Sequence, residues 1–142
     1  EIEEQYRLLN RLFFDNSYPK GALIEKYTAF INLNPKYYVA YRDRAVLYTH
    51  VGKYREAIAD NQLLITHNER VWSDAVINKA EALFFLKDYD EALSVANHYF
   101  TICDEPTAEC YRIRAEIFRK LKMRDEYKMD MRAYKRLRKA KK

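Results

Sequence analysis

Seven of the last twelve residues are Lys or Arg: "MRAYKRLRKAKK", Met131 to Lys142, holds no acid. A cluster of this kind has three uses. It can solubilise the end of a chain, serve as a docking or nuclear-import surface, or make salt-dependent contacts with nucleic-acid phosphates. The cations at issue are Arg132, Lys135, Arg136, Arg138 and Lys139. Elsewhere the chemistry is sparse. Cys103 and Cys110 show no ligand spacing with His50, His67 or His98, so no metal is expected. There is no nucleophile–base constellation, no Gly-rich phosphate loop, no His-Glu-x-x-His and no Gly-x-Ser-x-Gly. The sequence therefore predicts a protein that is not an enzyme and needs no cofactor.

The elements that must position these residues are helices. The chain has 142 residues, with only two Gly and three Pro, which argues for helices joined by short connections rather than sheets with tight turns. No apolar run approaches the roughly 20 residues of a membrane span. Two cysteines do not make a disulfide framework, so free thiols and a reduced, cytoplasmic setting are expected, with a nuclear one also open. The chain opens on Glu1, without Met or a signal peptide, and reads as a piece of a longer protein. The net charge of +5 is uneven. Residues 105–142 carry fourteen Lys/Arg against six Asp/Glu, while residues 1–34 carry four against five. Basicity belongs to the C-terminal end and not to the whole surface.

The segment "KYREAIAD" at Lys53–Asp60 is echoed 35 residues later by "DYDEALSV" at Asp88–Val95. Other columns share this period: Tyr6, Tyr41, Val76 and Tyr111; Phe13, Tyr48, Leu83 and Phe118; Asn10, Ala45, Ala80 and Ala115; Ala22, Ala57 and Ala92. A period of this size marks a repeat array. Four units, 3–37, 38–72, 73–107 and 108–142, cover nearly the whole chain. Each holds two apolar stripes at helical spacing, with hairpin pairs near 1–33, 36–68, 71–103 and 106–140 and a basic last helix over 124–142. Gly52 suits a left-handed helix end, Pro35 and Pro106 suit helix starts, and Asn34 and Ser73 suit caps. Ala45 with Ala57, and Ala80 with Ala92, would let paired helices approach closely. The tyrosine columns read as core.

These columns resemble the tetratricopeptide repeat: aromatic, small, aromatic on a first helix, then Gly-x-Tyr-x-x-Ala on a second. The second unit matches best, through Pro35, Tyr41, Ala45, Tyr48, Gly52, Tyr54 and Ala57. The third keeps Ala80, Tyr89 and Ala92 but has Lys87 for the glycine, and the outer units are degenerate. The family's usual period is 34, so one extra residue is expected in each inter-repeat turn. A period of 35 is also similar to the RNA-reading pentatricopeptide repeat, but no base-reading pair recurs from unit to unit. The resemblance implies an all-α, right-handed superhelical solenoid of about four helix-turn-helix pairs whose first helices line a concave groove for peptides.

The register projects Arg7, Arg11, Arg42, Val46, Ile77, Asn78, Phe84 and Arg112 into that groove. The arginines would supply a cationic end, and Val46, Ile77 and Phe84 an apolar middle. Because Phe84 and Phe85 are adjacent, only one of them can point into a given core. A scaffold or adaptor is the expected role, binding a protein or peptide with apolar and acidic groups. The family's carboxylate clamp, which grips chaperone C-terminal tails with two Lys, two Asn and an Arg, is not kept. Arg7 stands at the first Lys place and Arg11 at the first Asn place. Asp43, Asp74 and Asn78 occupy the others, and acids there would repel a carboxylate. A co-chaperone with an atypical clamp is thus the weaker alternative. Nucleic-acid contact through the basic last helix is another, and no membrane partner is expected.

Overall fold

The computed structural model describes residues 1–141. Lys142, the final residue of the expected fourth unit, last helix and basic tail, lies outside the described residues. Eight helices follow in order: α1 (Ile2–Phe13), α2 (Lys20–Leu33), α3 (Tyr38–His50), α4 (Tyr54–Asn68), α5 (Ser73–Phe85), α6 (Tyr89–Ile102), α7 (Ala108–Lys120) and α8 (Arg124–Ala140). The described residues contain no strand. They form two compact units, Glu1–Leu64 and a second from Ile65 onward.

The turns explain how the period is kept. At the end of α3, Gly52 sits at φ 83, and Lys53 N–H donates to the Tyr48 carbonyl at 2.8 Å. The same closure recurs 35 and 70 residues on, where Asp88 N–H reaches Leu83 and Met123 N–H reaches Phe118, at 3.0 and 2.9 Å. Lys87 and Lys122 take the left-handed place at φ 65 and φ 61. The backbone geometry is thus retained although the glycine is not, at a steric cost of roughly 1–2 kcal/mol per lysine. The first hairpin is different. Its longer connection, 14–19, is tied by Ser17 donating to the Asp15 carboxylate.

Three local expectations are corrected. Asn34 closes α2 instead of opening α3: its side-chain amide donates to the Phe30 carbonyl at 3.0 Å. Ser73 is the first residue of α5, after Trp72, and makes no capping bond. Pro35 and Pro106 precede their helices by more than the first-turn position, since α3 begins at Tyr38 and α7 at Ala108. The proline at a helix start is Pro19, which caps α2 at φ −62 and whose carbonyl accepts from Leu23 N–H.

The alanine columns are buried from Ala45 on. Ala45, Ala57, Ala80, Ala92 and Ala115 are all 2% exposed or less. In the first unit α2 packs on α3. Leu23, Tyr27, Phe30 and Ile31 of α2 are buried, each apolar side chain contributing about 1.5–3 kcal/mol. In the second unit α5 pairs with α6 and α7 with α8, and α7 also packs on α6 and α5. Cys103 and Cys110 are free thiols. Cys110 is buried and donates to the Tyr99 hydroxyl at 3.0 Å.

Candidate functional site: the first-helix faces and the stapled hairpins

In the first unit, α1 lies beside α3 through a buried carboxylate. Asp43 is 6% exposed and accepts from the Tyr6 hydroxyl and, at 3.2 Å, from the Tyr27 hydroxyl. Burial lifts the Asp43 carboxyl above its ordinary range, and the two tyrosines and Arg42 pull the other way. Both phenols are pushed up, first by burial and then by this carboxylate. Asp43 therefore holds two helix pairs together. It does not stand open in the groove, where the clamp comparison had put it.

Of the projected groove residues in this unit, Arg42 is partly exposed, with its Nε 3.7 Å from Asp43. Val46 is half-buried on the same helix. Arg7 is exposed but spent on Glu4, at 2.7 Å. Arg11 lines a separate apolar groove between α1 and α2.

In the second unit α5 and α7 are neighbours. Arg112 meets Glu81 at 3.5 Å and binds Glu109 closely. Burial raises the Glu81 carboxyl, whereas the Arg112 hydrogen bonds hold Glu109 below its usual range. Arg112 is therefore already answered by two acids of its own fold. Asn78 is half-buried. Ile77 is only 3% exposed, turned inward with Ala75, Val76 and Ala80, and it has almost no surface to give a ligand. Phe84 is half-buried, 5.6 Å from both the Phe85 and Tyr89 rings. Phe85 is the more open of the pair, at 44% exposed. Among the described residues, no three His, Cys, Asp or Glu gather as metal ligands, and no helix is long and apolar enough to cross a membrane.

Sequence reasoning missed a paired device. Arg44 binds Asp60 with two bonds of 2.8 Å and reaches Thr28 at 3.1 Å. Seventy residues on, Arg114 binds Asp130 with bonds of 2.8 and 2.9 Å and reaches Asn97 at 3.3 Å. Each guanidinium thus staples its own hairpin and touches the preceding helix. Each also lies over rings: Arg114 is 3.7 Å from the Phe100 centroid, and Arg44 is 5.5 Å from that of Tyr48. Bidentate pairing held against aromatic faces is what Arg, and not Lys, supplies. The signal was in the sequence, as two Arg–Asp pairs with equal internal spacing standing two periods apart.

On α8, Arg132, Lys135, Arg136, Arg138 and Lys139 are all exposed. None has an acidic partner among the described residues. Arg138 instead leans on Tyr134, donating to its hydroxyl at 3.1 Å.

No protein-family model matches the sequence, and no curated protein does. Solved structures do. A crystal structure of MamA superposes with a TM-score of 0.82 at 17% identity, over 99% of this chain and 80% of that one. A second MamA crystal structure gives 0.78 at 17%, over 94% and 71%. A tetratricopeptide repeat protein from Parabacteroides merdae ATCC 43184 aligns at 0.44 and 17%, over 83% and 59%. Likeness at this identity speaks for the fold alone, and it agrees with the repeated turns: the chain shares the fold of the MamA structures, all-α and built of helix-turn-helix pairs.

Proposed function

We propose that the chain is a non-enzymatic protein–protein interaction module, a scaffold or adaptor whose first-helix faces hold a partner peptide. One observation carries this reading. Packing and staples consume the inner faces of the hairpins, while α3 keeps a cationic and an apolar group partly at the surface, Arg42 and Val46, four residues apart. A peptide with an aliphatic or aromatic anchor beside an acidic group suits that face. The chaperone-tail alternative is weakened by Asp43, which is committed to Tyr6 and Tyr27, and by the acids already bound to Arg112.

The test is affinity capture with the whole chain against Arg42→Ala and, separately, Phe84→Ala. Truncating an anchor should weaken capture by about thirtyfold, near 2 kcal/mol, with helicity unchanged. Capture that survives both variants but fails in Lys139→Ala with Lys141→Ala would move the binding surface to α8. The exposed cations of α8 favour one second reading, contact with nucleic acid. That reading requires oligonucleotide affinity to fall steeply with salt.

A further inference from the structure

At the α6–α7 connection two thiols and a phenol meet. Cys110, in the first turn of α7, is 7% exposed and donates to the Tyr99 hydroxyl of α6 at 3.0 Å. Cys103, which caps the C-terminal end of α6, is the second sulfur partner of the same hydroxyl. Burial, and then the two thiols, push the Tyr99 phenol above its ordinary range. One oxygen atom thus draws both sulfurs to one place. Local geometry explains the meeting. Cys103 N–H closes the last turn of α6 on the Tyr99 carbonyl at 3.0 Å, so the two side chains share a face. α7 packs on α6. Its Cys110 N–H donates to the Thr107 carbonyl at 3.1 Å, and the Cys110 sulfur lies 3.3 Å from the Thr107 hydroxyl.

The repeat shows that packing does not require the sulfurs. One period before Tyr99, Cys103 and Cys110 stand Leu64, Asn68 and Ala75, and two periods before Cys110 stands Ala40. Leu64, Ala75 and Ala40 are all 0% exposed. Alanine therefore fills the Cys110 place, and leucine the Tyr99 place, with no loss of burial. The two thiols also differ in access: Cys103 is half-buried and Cys110 buried. A reagent meets Cys103 first, and Cys110 answers from within. The backbone between them leaves room to adjust. α6 stops at Ile102 and α7 starts at Ala108, and Cys103 is extended at φ −103 and ψ 121. Such a connection can supply the small movement that brings two β-carbons to the roughly 4 Å a disulfide needs.

We propose that Cys103 and Cys110 form a redox-sensitive modification site, a dithiol that a low-molecular-weight disulfide of the glutathione type converts to an intramolecular bond. The Cys103 thiolate attacks one sulfur of the glutathione disulfide. One glutathione leaves as thiolate and takes up the proton that Cys103 lost. The Cys110 thiolate then attacks the Cys103 sulfur of the mixed disulfide and expels the second glutathione, which takes up the Cys110 proton. The chain gives up two electrons and two protons, and the two glutathione molecules gain them. The new bond fastens the start of α7 to the end of α6, beside Glu109 and its partner Arg112.

The test equilibrates the whole chain in glutathione redox buffers, folded and in urea, with thiols trapped by alkylation and the species separated by mass. The folded chain should lose both thiols together and become lighter by about 2 Da, and excess reductant should restore them. Closure should be favoured at least about tenfold more in the folded chain than in urea, because the fold holds the sulfurs together. Hydrogen exchange across 103–110 should slow on oxidation. Cys110→Ala takes the residue of the equivalent positions and so keeps the packing; it should stop at the Cys103–glutathione adduct. The proposal fails if the folded parent accumulates that adduct without closing, or if closure is no easier than in urea. It fails too if exchange across 103–110 is unchanged by oxidation, or if the bond forms between two copies of the chain.

Discussion

Asp130→Ala should be among the most damaging single changes in the second unit. Asp130 is 6% exposed at its side chain and Arg114 19%, so the pair is mostly withdrawn from water. Removing one partner of a buried pair costs about 3–5 kcal/mol, because the other charge is left desolvated. Arg114 would keep Asn97 at 3.3 Å and the Phe100 ring at 3.7 Å. It would also keep some water, which puts the expected loss at the lower bound, about 3 kcal/mol. For a chain of this size that is a fall in melting temperature of about 10 °C. Urea denaturation followed by circular dichroism measures it directly. Glu116→Ala is the internal control: its pair with Arg119 is open to solvent, and its loss should leave the denaturation midpoint essentially where it is. Arg114→Met combined with Asp130→Leu should recover most of the loss, since apolar replacement of both partners is often neutral. A loss below about 1 kcal/mol for Asp130→Ala, or a double variant no better than the single one, would refute the claim that this pair staples the α7–α8 hairpin.

Two further outcomes follow from the same packing. Ala80→Leu adds a branched side chain at a position 0% exposed and should cost roughly 1–3 kcal/mol; an unchanged melting temperature would mean the close helix contact has been misplaced. Asp43→Asn should show a pH signature. Burial raises the native carboxyl above its unfolded value, so the stability Asp43 lends is complete at low pH and is lost as pH rises through the raised value. The neutral amide escapes that loss. The melting temperature of Asp43→Asn relative to the parent should therefore climb from about pH 4 to about pH 7, and a difference that falls over that range would contradict the assignment.

The parts of the fold legible in the sequence were those set by local geometry. Gly52 announced a left-handed turn, and the period carried that turn to Lys87 and Lys122, whose own side chains argue against it. The alanine columns announced buried positions, and the alanines of all of them from Ala45 on are buried. Charged residues were the illegible part. An Asp on a helix is by default solvated, and nothing local separates Asp43, Asp60 and Asp130, each 6% exposed or less, from the exposed Asp125. Their burial depends on partners one or more helices away: Tyr6 and Tyr27 for Asp43, Arg44 for Asp60 and Arg114 for Asp130. The same limit applies to Ile77, which register alone could not turn from the surface to the core.

A repeat array supplies its own controls, since every residue has counterparts in equivalent positions 35 residues away. Residues that agree with their counterparts mostly explain packing. Ala45, Ala80 and Ala115 agree, and all three are buried. The Arg44–Asp60 and Arg114–Asp130 staples agree across two periods, and both hold hairpins shut. Recognition is then to be sought in the departures, where packing sets no demand. Lys26 stands where its counterparts are Asn61 and Ala96. Arg11 stands where Val46 does, and Leu33 is 80% exposed. These departures converge on one surface, the α1–α2 seam. The charge added there is charge that packing does not require.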